Sequence, residues 1–155
     1  MKSAVCVVTV VLGLGFMQGE GLAFDTTPER TRPQSPNLEA GRKAVDAKDF
    51  KSALDHLAKA AEETPNDADV YNLLGYSHRK LGDFDKAMEH YRVALKLNPN
   101  HRGAHEYLGE LYLDMGQLEN AERQLQTLHK ACPWFGKCEE YDDLKEAIEK
   151  FKAKK

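Results

Sequence analysis

Residues 68–101 read ADVYNLLGYSHRKLGDFDKAMEHYRVALKLNPNH. Tyr71, Leu74, His78 and Leu81 fall at i, i+3, i+7 and i+10, which is one face of an α-helix. Gly82 ends that helix, because glycine takes the left-handed conformation at little cost. Asp83 follows with a side-chain oxygen able to cap the next helix. Phe84, Ala87, Tyr91 and Ala94 mark one face of that second helix. Pro99 stops it, since proline lacks an N–H and biases Asn98 away from the α region. Gly75 lies inside the first helix, where glycine costs about 1 kcal/mol against alanine. With small Ala87 on the partner helix, it predicts a close approach of the two.

The same plan recurs on either side. Pro65, Pro99 and Pro133 stand 34 residues apart, as do Gly41, Gly75 and Gly109, and Ala53, Ala87 and Ala121. Three residue types sharing one period in different phases indicate a helix-pair repeat. The unit from Arg102 to Phe135 carries Leu108, Gly109, Tyr112, Gly116, Leu118, Ala121, Leu125, Leu128 and Pro133. The first unit is worn: it keeps Ala40, Gly41, Ala44, Phe50, Ala53, Leu57, Ala60 and Pro65, but its turn, Ala47-Lys48-Asp49-Phe50, has no glycine.

These units resemble tetratricopeptide repeats (TPRs), in a protein of the small secreted or periplasmic bacterial type. The family pattern of a large residue, Leu-Gly, an aromatic, a Gly turn, an aromatic, Ala, an aromatic, Ala and Pro is met in the middle unit by Tyr71, Leu74-Gly75, His78, Gly82, Phe84, Ala87, Tyr91, Ala94 and Pro99. Only His78 departs notably. The resemblance covers about Ser35 to Phe135 and implies an all-α, right-handed α-solenoid. Its three helix pairs span about 35–67, 68–101 and 102–135, and residues 136–155 form a C-terminal cap.

The ends fit this plan. The N-terminus, MKSAVCVVTVVLGLGFMQGEGLAF, has a basic Lys2, an apolar stretch from Ala4 to Met17 too short to span a bilayer comfortably, and small residues at Gly21-Leu22-Ala23. It reads as a secretory signal over residues 1–23, cut after Ala23, with an uncleaved anchor as the alternative. Residues 24–34 are polar, contain Pro28 and Pro33, and read as a flexible leader. Ser35-Pro36 is a helix start, a capping residue with proline at N1. At the other end Tyr141, Leu144, Ile148 and Phe151 share a face, with Glu139, Glu140, Asp142 and Asp143 clustered at its start and Lys150, Lys152, Lys154 and Lys155 at its end. That charge order suits the helix dipole, and a stack of helix pairs needs such a cap over its last apolar face.

The chain carries 22 basic and 25 acidic side chains and no basic stripe interleaved with aromatics, which argues against nucleic acid. No haem attachment motif, nucleophile elbow, P-loop or dinucleotide fingerprint is present, so no catalytic residue and no cofactor are assigned. His101 and His105 are four apart but lack partners for a metal site. Cys132 and Cys138 bracket the loop that holds Trp134-Phe135, and a secreted chain with an even pair predicts a disulfide stapling cap to array. An exchange-active pair is the alternative. Its spacing is not the usual C-x-x-C, and four nearby carboxylates would raise a thiol pKa. Zinc is not expected from two cysteines alone.

In the family this chain resembles, the first helix of each pair lines a concave groove. The matching positions are Leu38, Arg42, Val45 and Asp46; Asp69, Asn72, Tyr76, Arg79 and Lys80; and Glu106, Glu110, Leu113 and Asp114. This implies a bipolar groove, basic at Arg42, Arg79 and Lys80 and acidic at Glu106, Glu110 and Asp114, with Tyr76 as anchor for a peptide of opposite charge order. Leu38, Leu73, Gly103 and Tyr107 stand where chaperone-binding members carry a carboxylate clamp, which argues against an acidic C-terminal tail. The expected function is a non-catalytic adaptor or assembly factor for other proteins of the cell envelope, periplasmic by its signal, with no stable membrane span after cleavage. A thiol–disulfide helper using Cys132 and Cys138, or a chaperone for a secreted client such as an apocytochrome, are the alternatives.

Overall fold

A computed structural model describes residues 35–132 and 137–154. The signal (1–23), the leader (24–34) and Pro133, Trp134, Phe135, Gly136 and Lys155 lie outside the described residues. Among those described, the chain forms seven helices and no strand: α1 (Pro36–Asp46), α2 (Phe50–Glu63), α3 (Ala68–Lys80), α4 (Phe84–Leu97), α5 (Arg102–Asp114), α6 (Leu118–Ala131) and α7 (Glu139–Ala153). The architecture is an all-α solenoid.

Local chemistry sets the helix ends. The Ser35 side chain accepts from the N–H groups of Asn37 and Leu38, and Pro36 opens α1. Asp49 and Asp83 cap α2 and α4 by accepting from Ser52 and Lys86, whereas Gln117, at the equivalent place before α6, makes no cap bond. Gly82 and Gly116 turn the chain at φ 80° and 75°. Lys48, in the same place of the first pair, adopts φ 59° without the freedom of glycine.

The core is built pair by pair. Leu57 in the first pair and Tyr91 in the second are fully buried. Each occupies the space a glycine leaves: a Cβ on Gly41 would stand 2.6 Å from a Leu57 methyl, and one on Gly75 would stand 2.6 Å from the Tyr91 ring. The close approach at Gly75 therefore serves Tyr91, one turn beyond Ala87. In the third pair the period would bring Leu125 to Gly109, but the contact there is Leu144 of α7, 2.6 Å from an ideal Cβ. The capping helix thus enters the core of the last repeat. Leu144 and Ile148 join Leu113, Ala121 and Leu128 in one buried cluster. Burying a leucine side chain fully contributes roughly 1.5–3 kcal/mol. Cys132 and Cys138, at the C-cap of α6 and the N-cap of α7, form a disulfide with their Cα atoms 5.8 Å apart.

Leu81 departs from the expected apolar face. It is 43% exposed because α3 ends at Lys80 and the backbone turns away through Leu81 and Gly82. His78 departs from the family's aromatic and is compensated by a second histidine. The His78 and His90 rings stack with centroids 5.3 Å apart, and His90 also stacks on Tyr71 at 6.3 Å. Burial lowers the pKa of both imidazoles, so the stack is held by neutral rings.

Successive first helices touch: α1 with α3, α3 with α5, and α5 with α7. The second helices α2, α4 and α6 make no such contacts with one another. A layer whose members touch is shorter than one whose members are splayed, so the stack bends with α1, α3, α5 and α7 on its inner side. The splay shows outside as a cleft of about 460 Å³ between α4 and α6, lined by Met88, Arg92, Tyr112 and Met115 among others.

Candidate functional site: the inner helix face

The inner face is a row of helices running side by side, so residues one repeat apart, give or take up to two turns, meet. Arg42 on α1 donates to Asp69 on α3 at 2.6 Å. The second oxygen of Asp69 lies 2.9 Å from His101 Nε2, while His101 Nδ1 accepts from the Ala104 N–H and caps α5. The Nδ1 acceptor role leaves the ring proton on Nε2, which donates to Asp69. The His101 hydrogen bond, opposed by burial and helped by Arg42, lowers Asp69 to about 2. His101 and His105 are therefore structural. His105 is buried and joins the Pro99 carbonyl and Gln124 through its two ring nitrogens, at 2.9 and 2.8 Å.

A second cross-helix cluster lies toward the C-terminal ends of α3 and α5. Arg79 donates through Nε to Asp114 at 2.6 Å and through Nη1 to Glu110. Burial alone would lower its pKa, but Glu110 and Asp114 outweigh that and hold the guanidinium above its ordinary value. The bipolar display expected from the sequence is thereby corrected. Arg42 and Arg79 do not present free positive charge, because the close side-by-side packing of the first helices pairs them with the acids of the next repeat. Lys80 reaches the neighbouring ring instead, with Nζ 5.0 Å from the centre of Tyr76.

Between these clusters runs an aromatic band. Tyr76 meets Phe50 edge-on with ring centres 5.9 Å apart and Tyr107 at 4.8 Å. All three rings are half-buried. Tyr107, which the sequence marks only as standing at a clamp position, packs on the core beside Leu111 and reaches the inner face through its contact with Tyr76. Burial, reinforced by Glu106, raises its phenol to about 12.

Two polar residues on this face are deeply buried. Asn72 is 7% exposed, and its side-chain carbonyl oxygen has no hydrogen-bond donor among the described residues. Glu106 is 8% exposed, and no described residue donates to its carboxylate. Burial above all, with Glu110, Asp143 and Glu140 adding repulsion that Arg79 only partly offsets, pushes Glu106 up to about 8. Among the described residues, no group of three or more histidine, cysteine, aspartate or glutamate side chains is placed to hold a metal ion.

Comparison with known proteins agrees with this geometry. The tetratricopeptide-repeat family model matches residues 68–101. The chain contains a tetratricopeptide repeat and has the fold of tetratricopeptide-repeat domains. No curated protein matches it in sequence. The TPR repeats superpose on the TPR2B domain of yeast Sti1, solved in complex with an Hsp70 peptide, at TM-score 0.69 and 15% identity, over 77% of this chain and 95% of that one. They also superpose on the first TPR of Spaghetti (RPAP3), solved with the HSP90 peptide SRMEEVD, at TM-score 0.65 and 17% identity, over 76% and 89% of the two chains. A point mutant of MamA is similar at 28% identity and TM-score 0.58, over 63% of this chain and 71% of that one. No helix among the described residues is long and apolar enough to cross a membrane.

Proposed function

We propose that this protein is a non-catalytic interaction module whose inner helix face binds a segment of another protein. The observation that carries the reading is the half-buried aromatic band of Phe50, Tyr76 and Tyr107, drawn from three helices onto one face. Half-buried aromatics at the centre of a concave surface supply contact area with little side-chain entropy to lose, the character of an interface anchor. The ion pairs flanking the band fix the helices that hold it, so the face is preorganised. The peptides bound by the Sti1 and RPAP3 domains support the same use of the fold.

We place the module in the cell envelope, on the strength of the N-terminal apolar segment with its small-residue cleavage pattern. In that setting the Cys132–Cys138 disulfide is a structural staple between array and cap. The test compares capture of envelope proteins by the wild-type chain and by Tyr76→Ala. This reading expects one captured species to fall at least tenfold while the helical circular dichroism is unchanged. Equal capture by both would remove the inner face as the binding surface.

A further inference from the structure

The acid-rich side of the groove holds acceptors with no donors. Arg79 is used by Glu110 and Asp114, and Arg102 lies 3.4 Å from Glu140. No described cation pairs with Glu106 or with Asp143 on the facing helix α7. Asn72 adds an unpartnered buried carbonyl from α3. Its amide lies against Gly103, 3.3 Å from an ideal Cβ, one helical turn before Glu106 on α5, so both acceptors share the α3–α5 seam. A buried amide oxygen without a donor is costly to leave empty, and a largely buried carboxylate with no paired cation is costly to ionise. Beside them, the Tyr76 and Tyr107 rings offer π faces, and Lys80 already places an ammonium over one of them.

We propose that this seam, with Glu106 at its centre, is a receptor for a cationic side chain of the bound polypeptide, arginine in preference to lysine. The inference rests on the inner face being the binding surface and adds the chemistry of its occupant. A guanidinium brings five donors in a planar fork. It can satisfy a carboxylate and a neighbouring amide oxygen together while stacking on a tyrosine. Gly103 and Tyr107 offer no cation beside Glu106, and the lysines of the adjoining cleft, Lys150 and Lys154, line it together with Glu110 and Asp114. The groups that face Glu106 are Arg79 from α3, Glu110 from α5, and Glu140 and Asp143 from α7, with the Tyr107 phenol beside it. The carboxylates outnumber the one guanidinium, so a cation entering the seam relieves repulsion and draws the Glu106 proton off. Binding then strengthens as pH rises toward 8.

The test pans a phage library of random dodecapeptides on the purified protein and on its Glu106→Gln variant, an isosteric change that keeps the fold. The proposal expects enriched peptides to share an arginine or lysine. Replacing that arginine by citrulline should weaken binding at least about tenfold on the wild type and less than about twofold on Glu106→Gln. Affinity for the arginine peptide should rise between pH 6 and 8 on the wild type and stay flat on the variant. If enriched peptides lose binding on Tyr76→Ala but carry no cation, or tolerate citrulline on the wild type, the cation receptor is refuted and the groove stands. If no enriched peptide responds to Tyr76→Ala, the groove reading fails and this proposal with it.

Discussion

Lys48 shows what a repeat loses when one residue drifts. Its φ of 59° is left-handed, the conformation that Gly82 and Gly116 supply in the later repeats. A side chain there costs roughly 1–2 kcal/mol, partly offset by the entropy a glycine would add to the unfolded chain. Lys48→Gly should therefore raise stability by about 0.5–1 kcal/mol, read as a higher midpoint in urea with an unchanged slope. The missing glycine is plain in the sequence, and the left-handed backbone at Lys48 is seen only in the structure. Glu106 is the opposite case. Its repeat position names it as a groove residue, but nothing in the sequence says that it is buried without a donor. Its carboxyl is raised from an ordinary value of 4.5 to about 8. Between those values the folded chain holds more protons than the unfolded chain, so stability falls as pH rises through the window. Glu106→Gln should flatten that fall and stabilise the protein at pH 8 by on the order of 1–2 kcal/mol, after screening at the groove mouth. Thermal melts of the two proteins at pH 4.5 and pH 8 check this, and a fall that persists in the variant would exclude Glu106 as its source.

At the scale of the helix, the 34-residue period makes the pairs legible because glycine, alanine and proline each mark one structural need per repeat. It does not reveal that Gly109 serves α7 and not α6. Leu144 lies outside the period, and its docking on α5 depends on the shape left at the end of the stack. Gly109→Ala should cost about 1–3 kcal/mol by overpacking against Leu144. Adding Leu144→Ala should not cost the further 2–5 kcal/mol of an isolated leucine truncation (roughly that range), since the new methyl takes part of the vacated space. A double mutant whose loss is the full sum of the two singles would show that the contact is not shared. The disulfide acts on the same helix. Removing it by Cys132→Ser with Cys138→Ser should lower stability by roughly 2 kcal/mol and speed amide exchange in the first turn of α7 before that of α3. Uniform exchange across the chain would instead mean that the cap melts only with the whole array.

For the molecule as a whole, the curved stack is legible from the repeat pattern, and its inner face can be listed residue by residue. The charge pattern on that face cannot. Arg42 meets Asp69 and Arg79 meets Glu110 and Asp114 at separations of 27, 31 and 35 residues, the 34-residue period shortened by two turns, shortened by one turn, or lengthened by one residue. Those pairings follow from the lateral spacing of neighbouring helices, which a one-dimensional repeat does not state. The aromatic band that remains between the ion pairs is the surface the account depends on. Photo-crosslinking tests it most directly, with a photoreactive amino acid placed at Lys80 beside Tyr76 or, as the outer-face control, at exposed Val93 of α4. The account predicts a discrete protein adduct from position 80 in envelope extracts, lost on adding Tyr76→Ala, and none from position 93. Adducts from position 93 alone would contradict it.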